Sequence, residues 1–315
     1  MFFTVLISWL VSGYLDVQVG NFSTVQVEEQ EQSGVIARAS DFVENSLFGN
    51  ESGETDIRVP VIVDKHNLGP ILTAKASIVI DGASGALLWG NEINDRHPIA
   101  SISKLMAVMV YLDQNPDLSR VITMTKEDET SGGRQYLGRG EKVLARDLVY
   151  SALVTSDNNA TEALARVSGL DRSKFIDEMN IKAQVLGMSK SSFVEPTGLE
   201  FTNVASPRDV VVMLEEALSY ELIASAVKQK TYTFTSVSGK EHKVYNTNKL
   251  LGGFINIIGG KTGFNGESLY NLVIAVKGDE GQIIYVVVLG SATVNDRFED
   301  AKVLADWVLS NYKWD

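Results

Sequence analysis

Three β-branched runs stand together near the end of the chain: GFINIIGGKTG, YNLVIAVKG and QIIYVVVLGSA. One β-rich pair, KASIVIDGASGALLWG, lies far upstream at residues 75–90, with DGASG supplying its turn. Residues 117–225, between them, read as mainly helical, with 3.6-residue periodicity in ARDLVYSALVTS, NNATEALARVS and SKFIDEMNIKAQVLG, where Gly187 is a C-cap candidate. SPRDVVVMLEEAL starts as a helix with Ser-Pro, and RFEDAKVLADWVLSNY forms a closing helix. An order of strands, helices, strands and helix admits few architectures. Both strand groups must bury their apolar faces, which brings the two ends of the sequence into one antiparallel sheet with helices against it. The expected class is α/β, an antiparallel sheet flanked by helices with a helical lobe inserted.

The first residues, MFFTVLISWLVSGYL, are apolar but fall short of the ~20 needed to span a bilayer easily. No Lys or Arg precedes them and no A-x-A cleavage site follows, yet they resemble the core of a signal peptide. Residues 1–20 are therefore read as a signal peptide or N-terminal membrane anchor. Residues 21–73 carry EEQEQ and GNESGETD without sustained periodicity and are read as an acidic linker, with a short helix around 34–47. The catalytic domain is then expected over residues 74–315. A net charge of −12 disfavours nucleic acid and anionic membrane surfaces as partners. With no Cys, thiolate chemistry, disulfides and cysteine-ligated zinc are excluded. His66, His97 and His242 lack metal-ligand spacing, so no metal and no cofactor is expected.

Three motifs occur in order: Ser101-Ile-Ser-Lys104, Ser156-Asp157-Asn158 and Lys261-Thr262-Gly263. Each alone is an ordinary surface pair or turn. In this order, and in these local settings, they specify chemistry. HPIASISKLMAVMVYLDQNP reads as a buried helix beginning near Ser101 and stopped by Pro116. Positions i and i+3 share a face, so Lys104 can reach the Ser101 hydroxyl. A serine hydroxyl needs a base to attack, and a lysine serves when burial and a second cation, here Lys261, lower its pKa. The start of a helix also offers free N–H groups to a developing oxyanion. Ser156 can relay a proton, and the Asn158 amide can hold substrate or Lys104. Lys261 offers a cation to a carboxylate, Thr262 adds a hydroxyl, and Gly263 keeps the strand clear.

The triple matches the signature shared by penicillin-binding proteins and class A β-lactamases. From about Ala74 onward the chain resembles the low-molecular-mass penicillin-binding D-alanyl-D-alanine carboxypeptidases. PIASISKLM, GGRQYLGRGEKVLARDLVYSALVTSDNNATEALA, SFVEPTGLE and YNTNKLL carry the resemblance, as does the closing stretch from VVVLGSA. It implies a transpeptidase/β-lactamase-like fold with a five-stranded antiparallel sheet. It further implies Ser101 as nucleophile, Lys104 as base, Ser156 and Asn158 as the second motif, and Lys261, Thr262 and Gly263 as the third. The oxyanion hole would be the backbone N–H groups of Ser101 and Phe264. Peptidoglycan peptides are the implied substrates, β-lactams the implied inhibitors, and the location extracytoplasmic. Two departures from the family pattern stand out. Asn265 replaces a Thr, and Ser268-Leu269 replaces an Ala-Gly pair. No counterpart follows the last helix for the C-terminal β-domain of many relatives, so attachment is expected through the N-terminus.

Three rival functions share these motifs. A class A β-lactamase needs a Glu-x-x-x-Asn loop, but Glu195 is followed four places on by Leu199. A D,D-endopeptidase, which cuts cross-links, fits PIASISKLM and SFVEPTGL nearly as well. A catalytically inactive penicillin-fold binding module is disfavoured because every polar motif residue is present. Asp157 is read as structural, Arg134 and Arg139 as part of a solvated loop, and Trp89 as core beside apolar strand neighbours. His97, although four residues before Ser101, is read as an ordinary, partly exposed histidine.

Overall fold

The computed structural model describes residues 59–314, apart from Lys65 and Leu68. The readings of residues 1–20 as signal or anchor, and of a helix around 34–47, lie outside the described residues.

The upstream pair forms a hairpin, β1 (Ala76–Asp81) and β2 (Leu87–Asn91). The late runs form β3 (Ile257–Asn265), β4 (Leu269–Lys277) and β5 (Ile283–Ser291). They build one antiparallel sheet of order β3-β4-β5-β1-β2, in which β1 pairs with β5 across the length of the sequence. The unbroken apolar runs have a physical cause: both faces of the sheet are covered. Val273, Ala275, Val287 and Leu289 face one core, while Leu272, Ile274, Val286 and Val288 face the other. A strand with one face in water would alternate apolar with polar residues instead.

Seven α-helices are used below: α1 (Lys104–Asp113), α2 (Ala145–Tyr150), α3 (Asn158–Val167), α4 (Arg172–Val185), α5 (Pro207–Ser219), α6 (Glu221–Val227) and α7 (Asp296–Asn311). Helix α7 covers one face of the sheet through Phe298, Ala301, Leu304, Ala305 and Val308, spaced for a single stripe. Helices α1–α6 pack on the other side as the inserted lobe, and α1 is buried from Lys104 to Tyr111. Ser206 caps α5 by accepting from the Asp209 N–H at 3.1 Å, with Pro207 at its first position. Gly187 follows α4 with φ 74°, as a C-cap requires.

The structure corrects the sequence reading in three places. The α-helix begins at Lys104, not near Ser101; Ser101 lies in a 3-10 turn over Ala100–Ser103. In a 3-10 turn residues i and i+3 eclipse, so the expected meeting of Ser101 and Lys104 survives. A hairpin, Thr231–Thr235 with Glu241–Tyr245, was not foreseen. Its signal was the alternation in TYTFT and HKVY around the turn SGK. Finally, the folded unit begins before Ala74. Val61 and Ile62 pair with Lys313 and Tyr312, and Thr73 donates through N and Oγ1 to buried Asp300 at 3.0 and 2.9 Å.

That last contact gives a prediction. A protein starting at residue 74 leaves the Asp300 carboxylate with Ser291 Oγ, at 2.7 Å, as its remaining side-chain donor. An under-satisfied buried acceptor costs about 1–3 kcal/mol. A chain beginning at residue 59 should therefore melt several degrees higher than one beginning at 74, by about 2–4 °C per kcal/mol. Equal melting temperatures would show that residues 59–73 contribute nothing to stability.

Candidate active site

All three motifs meet at one edge of the sheet, where β3 passes the 3-10 turn and the start of α3. Ser101 comes from the turn, Lys104 from the first residue of α1, Ser156 from the loop entering α3 and Asn158 from the first residue of α3. Lys261, Thr262, Gly263 and Phe264 come from β3. A Cβ on Gly263 would stand 2.3 Å from the Ile99 carbonyl oxygen, so only glycine lets β3 approach the nucleophile turn.

Lys104 is fully buried, and its Nζ donates to Ser101 Oγ at 3.0 Å and also to the Thr197 carbonyl. Burial lowers its pKa to about 8, against the opposing fields of Glu195, Asp157 and Glu162. Lys261 is as deeply buried; its Nζ donates to Ser156 Oγ at 2.8 Å and to the Thr262 carbonyl at 3.1 Å. Its pKa is held well below the usual lysine value by desolvation, then by Lys104, Arg297 and Arg134. The sequence reading had burial and the Lys261 cation together lower the Lys104 pKa; here desolvation is what lowers it, and the like-charge effect falls on Lys261, which Lys104 helps hold down.

Ser156 sits at φ 64°, a left-handed conformation that ends the π-turn Ser151–Thr155 and turns its hydroxyl toward Lys261. Such strain is found where a site over-determines the backbone. Asn158 donates through Nδ2 to the Gly132 carbonyl at 2.9 Å, which fixes its amide. Thr262 Oγ1 lies 2.6 Å from Thr247 Oγ1. The Phe264 side chain is exposed and stacks on Tyr270 with ring centroids 4.4 Å apart.

The remaining candidates fall where their chemistry suggests. Asp157 is fully buried and accepts from the N–H groups of Tyr136, Leu137 and Asn159 and from Ser151 Oγ. It holds the cleft loop onto α3. Arg139 makes an exposed pair with Glu129. Trp89, expected in the core, is half-buried with its Nε1 donating to Ser77 Oγ at 3.0 Å. His97 Nε2 donates to the Ser268 carbonyl at 2.9 Å, and burial lowers its pKa. Asn265, one of the departures, exchanges hydrogen bonds with Ser268: its N–H donates to Ser268 Oγ at 2.9 Å, and its Oδ1 accepts the Ser268 N–H at 2.7 Å.

Two further residues border the site: Arg297, which sequence reasoning missed, and Glu195, which it weighed only as a water-activating base. Arg297 on α7 is buried beneath β3, donating to the Gly263 carbonyl at 3.1 Å while its Nε has no partner. Desolvation lowers its pKa to about 10. Glu195 is buried and fully engaged: Oε2 accepts from Thr197 N and Oγ1 at 2.7 and 2.6 Å, and Oε1 from Gly198 N. Nothing in spacing placed Arg297 near the site, because it reaches β3 only through tertiary packing.

The Peptidase S11 family model, described as D-alanyl-D-alanine carboxypeptidase, matches residues 64–293. The chain belongs to that family. Among relatives of this D-alanyl-D-alanine carboxypeptidase family, a Haemophilus influenzae D-alanyl-D-alanine endopeptidase is 35% identical over 210 residues, 65% of this chain and 70% of that protein. A Bacillus subtilis D-alanyl-D-alanine carboxypeptidase is 29% identical over 246 residues, 76% of this chain. The match spans 63% of the Bacillus protein's length. The crystal structure of a Streptomyces DD-transpeptidase superposes with a TM-score of 0.72 at 28% identity, covering 77% of this chain and 99% of that one. The fold and family read from the three motifs are those the comparisons show.

Proposed function

We propose that this carboxypeptidase-family chain cleaves D-alanyl-D-alanine ends of peptidoglycan stem peptides through an acyl-enzyme on Ser101. The observation that carries this reading is a fully buried Lys104 amine, 3.0 Å from Ser101 Oγ, with its pKa lowered to about 8. Neutral Lys104 takes the hydroxyl proton as Ser101 Oγ attacks the carbonyl of the penultimate D-alanine. The oxyanion faces the N–H groups of Ser101 and Phe264. Ser156, held by Lys261, relays that proton: its hydroxyl proton goes to the departing amine as it accepts the one Lys104 took, so terminal D-alanine leaves, an ester remains and Lys104 is neutral again. Lys104 then takes a proton from water as the water attacks the ester, and returns it to Ser101 Oγ as the acyl group leaves. Arg297, Lys261 and exposed Arg134 make this end of the cleft cationic, which suits a substrate carboxylate. Thr262 and Thr247 hydroxyls stand at the same end.

A D,D-endopeptidase is the second reading, favoured by the endopeptidase relative at 35% identity. Incubation with pentapeptide monomers and cross-linked dimers, read by mass, separates the two. Loss of one D-alanine from monomers supports carboxypeptidase action; conversion of dimers to monomers with monomers untouched supports the endopeptidase. A β-lactamase is disfavoured because the Glu195 carboxylate is spent on its own loop. A peptidoglycan substrate supports a location outside the cytoplasmic membrane. No helix among the described residues is long and apolar enough to cross a membrane, and attachment through the N-terminus is part of the proposal.

The pH dependence follows from Lys104. Its base form is neutral, so acylation should rise as pH passes through about 8 and then level off. Penicillin labelling rates between about pH 6 and 10 test this. A rate that is flat or falls over that range, with the fold intact, would remove Lys104 as the base.

A further inference from the structure

Glu195 is a buried carboxylate that the reaction above does not use. Five donors converge on it: Thr197 N and Oγ1, Gly198 N, Glu200 N at 3.4 Å, and Asn203 Nδ2 at 3.1 Å. No ion pair among the described residues includes it. A buried charge of this kind is costly unless its neighbours are arranged for it. The arrangement folds residues 195–200 into a tight loop whose two central residues touch the nucleophile pair. The Thr197 carbonyl accepts a hydrogen bond from Lys104 Nζ. Gly198, at φ 82°, lies so close to the nucleophile turn that a Cβ would stand 1.9 Å from Ala100 O and 2.7 Å from Ser101 N. Asn203 extends the network, donating to Ser103 Oγ at 3.1 Å and, through its carbonyl, accepting from Ile99 N at 3.0 Å.

We infer that Glu195 is a positioning residue for the peptidase reaction: it shapes the 195–200 loop so that Thr197 aims the Lys104 amine at Ser101 and Gly198 sets the Ser101 N–H. This rests on the assignment of Ser101 and Lys104 as nucleophile and base. Two consequences follow, and they can be measured separately. One is geometric, a slower acylation once the loop mispairs. The other is electrostatic. Lys104 faces Glu195 from this loop, Asp157 and Glu162 from the α3 side, and Lys261 from β3. Removing the Glu195 charge removes a field that favours protonated Lys104, so the neutral base appears at lower pH.

The test is the pH profile of penicillin acylation in the full chain. Glu195→Gln keeps the shape but turns an amide N–H₂ toward backbone donors. Acylation on the plateau should fall at least about tenfold, and the rising limb should move to lower pH. Glu195→Asp keeps the charge on a shorter arm; its plateau should fall while its limb stays in place. An unmoved limb and unchanged plateau in Glu195→Gln overturn the inference. So does a uniform loss at every pH matched by an equal loss of folded protein, the mark of a merely structural residue. If Glu195→Gln does not fold, Glu195→Asp decides: wild-type acylation overturns the inference, and a tenfold slower plateau with normal melting supports it. Ser101→Ala run in parallel keeps the two claims apart. If that variant still labels, the nucleophile assignment has failed rather than the role of Glu195.

Discussion

Arginine in place of Lys104 should slow penicillin acylation by about 10²–10⁴-fold, the range for loss of a general base. The guanidinium keeps the positive charge but does not deprotonate, since its pKa exceeds about 12. Lys104 is useful because burial brings its pKa to about 8, where a neutral amine is available. A surface lysine would hold its proton through neutral pH. Stopped-flow or gel-based labelling gives the rate, and near-normal labelling by Lys104→Arg would show that the proton goes elsewhere. Lys104→Met controls for the larger guanidinium and should be as slow.

Methionine at Lys261 should separate function from stability. The buried amine is held by Ser156 Oγ and the Thr262 carbonyl. Its neighbours Lys104, Arg297 and Arg134 are all basic, and desolvation opposes its charge further. An apolar chain of similar length removes that conflict, so Lys261→Met should melt no lower than the parent. The same change strips Ser156 of its donor and the cleft of a cation. kcat/KM on D-alanyl-D-alanine peptides should then fall by roughly 10²-fold or more. Retained activity, or a marked loss of stability, would contradict this account of Lys261. A site that gives up stability for function is expected where charges of one sign are gathered for a ligand.

The legibility of this protein follows the range of its interactions. The sheet was readable because runs such as YNLVIAVKG and QIIYVVVLGSA carry too many β-branched residues for anything but strands buried on both faces. Ser101 and Lys104 were readable because three residues of helical spacing fix their meeting locally. Lys261 was placed by its motif, but its depth and its effect on Lys104 depend on packing between β3 and the lobe. Arg297 and Thr247 were invisible because each reaches the cleft across a long chain separation, through α7 and a loop. Glu195 was seen as a residue and rejected as a water-activating base. Its use in bracing a loop required knowing that Thr197 and Gly198 abut the nucleophile turn. The 3-10 turn at Ser101 was misread as α-helix because apolar periodicity does not distinguish the two over four residues. Residues 59–73 read as linker because they are grouped with the acidic runs EEQEQ and GNESGETD before them, although VPVIV is itself an apolar, β-branched run, and Val61 and Ile62 pair with the chain's last strand.

The central claim is that Ser101 carries the acyl group. Penicillin mimics the D-alanyl-D-alanine end, so Ser101 Oγ should open its lactam and form an ester. The opened ring remnant stays tethered where a leaving D-alanine would have departed, and the Glu195 carboxylate beside the nucleophile turn is bound to its own loop rather than free to activate water. Natural substrate releases D-alanine and admits water; penicillin does not. The direct measurement is mass spectrometry of digested protein after penicillin treatment, with D-alanine release followed in parallel on untreated enzyme. The account predicts a persistent adduct on the peptide containing Ser101, absent in Ser101→Ala, beside continuing D-alanine release. Rapid destruction of penicillin without an adduct, or an adduct that survives in Ser101→Ala, would contradict it.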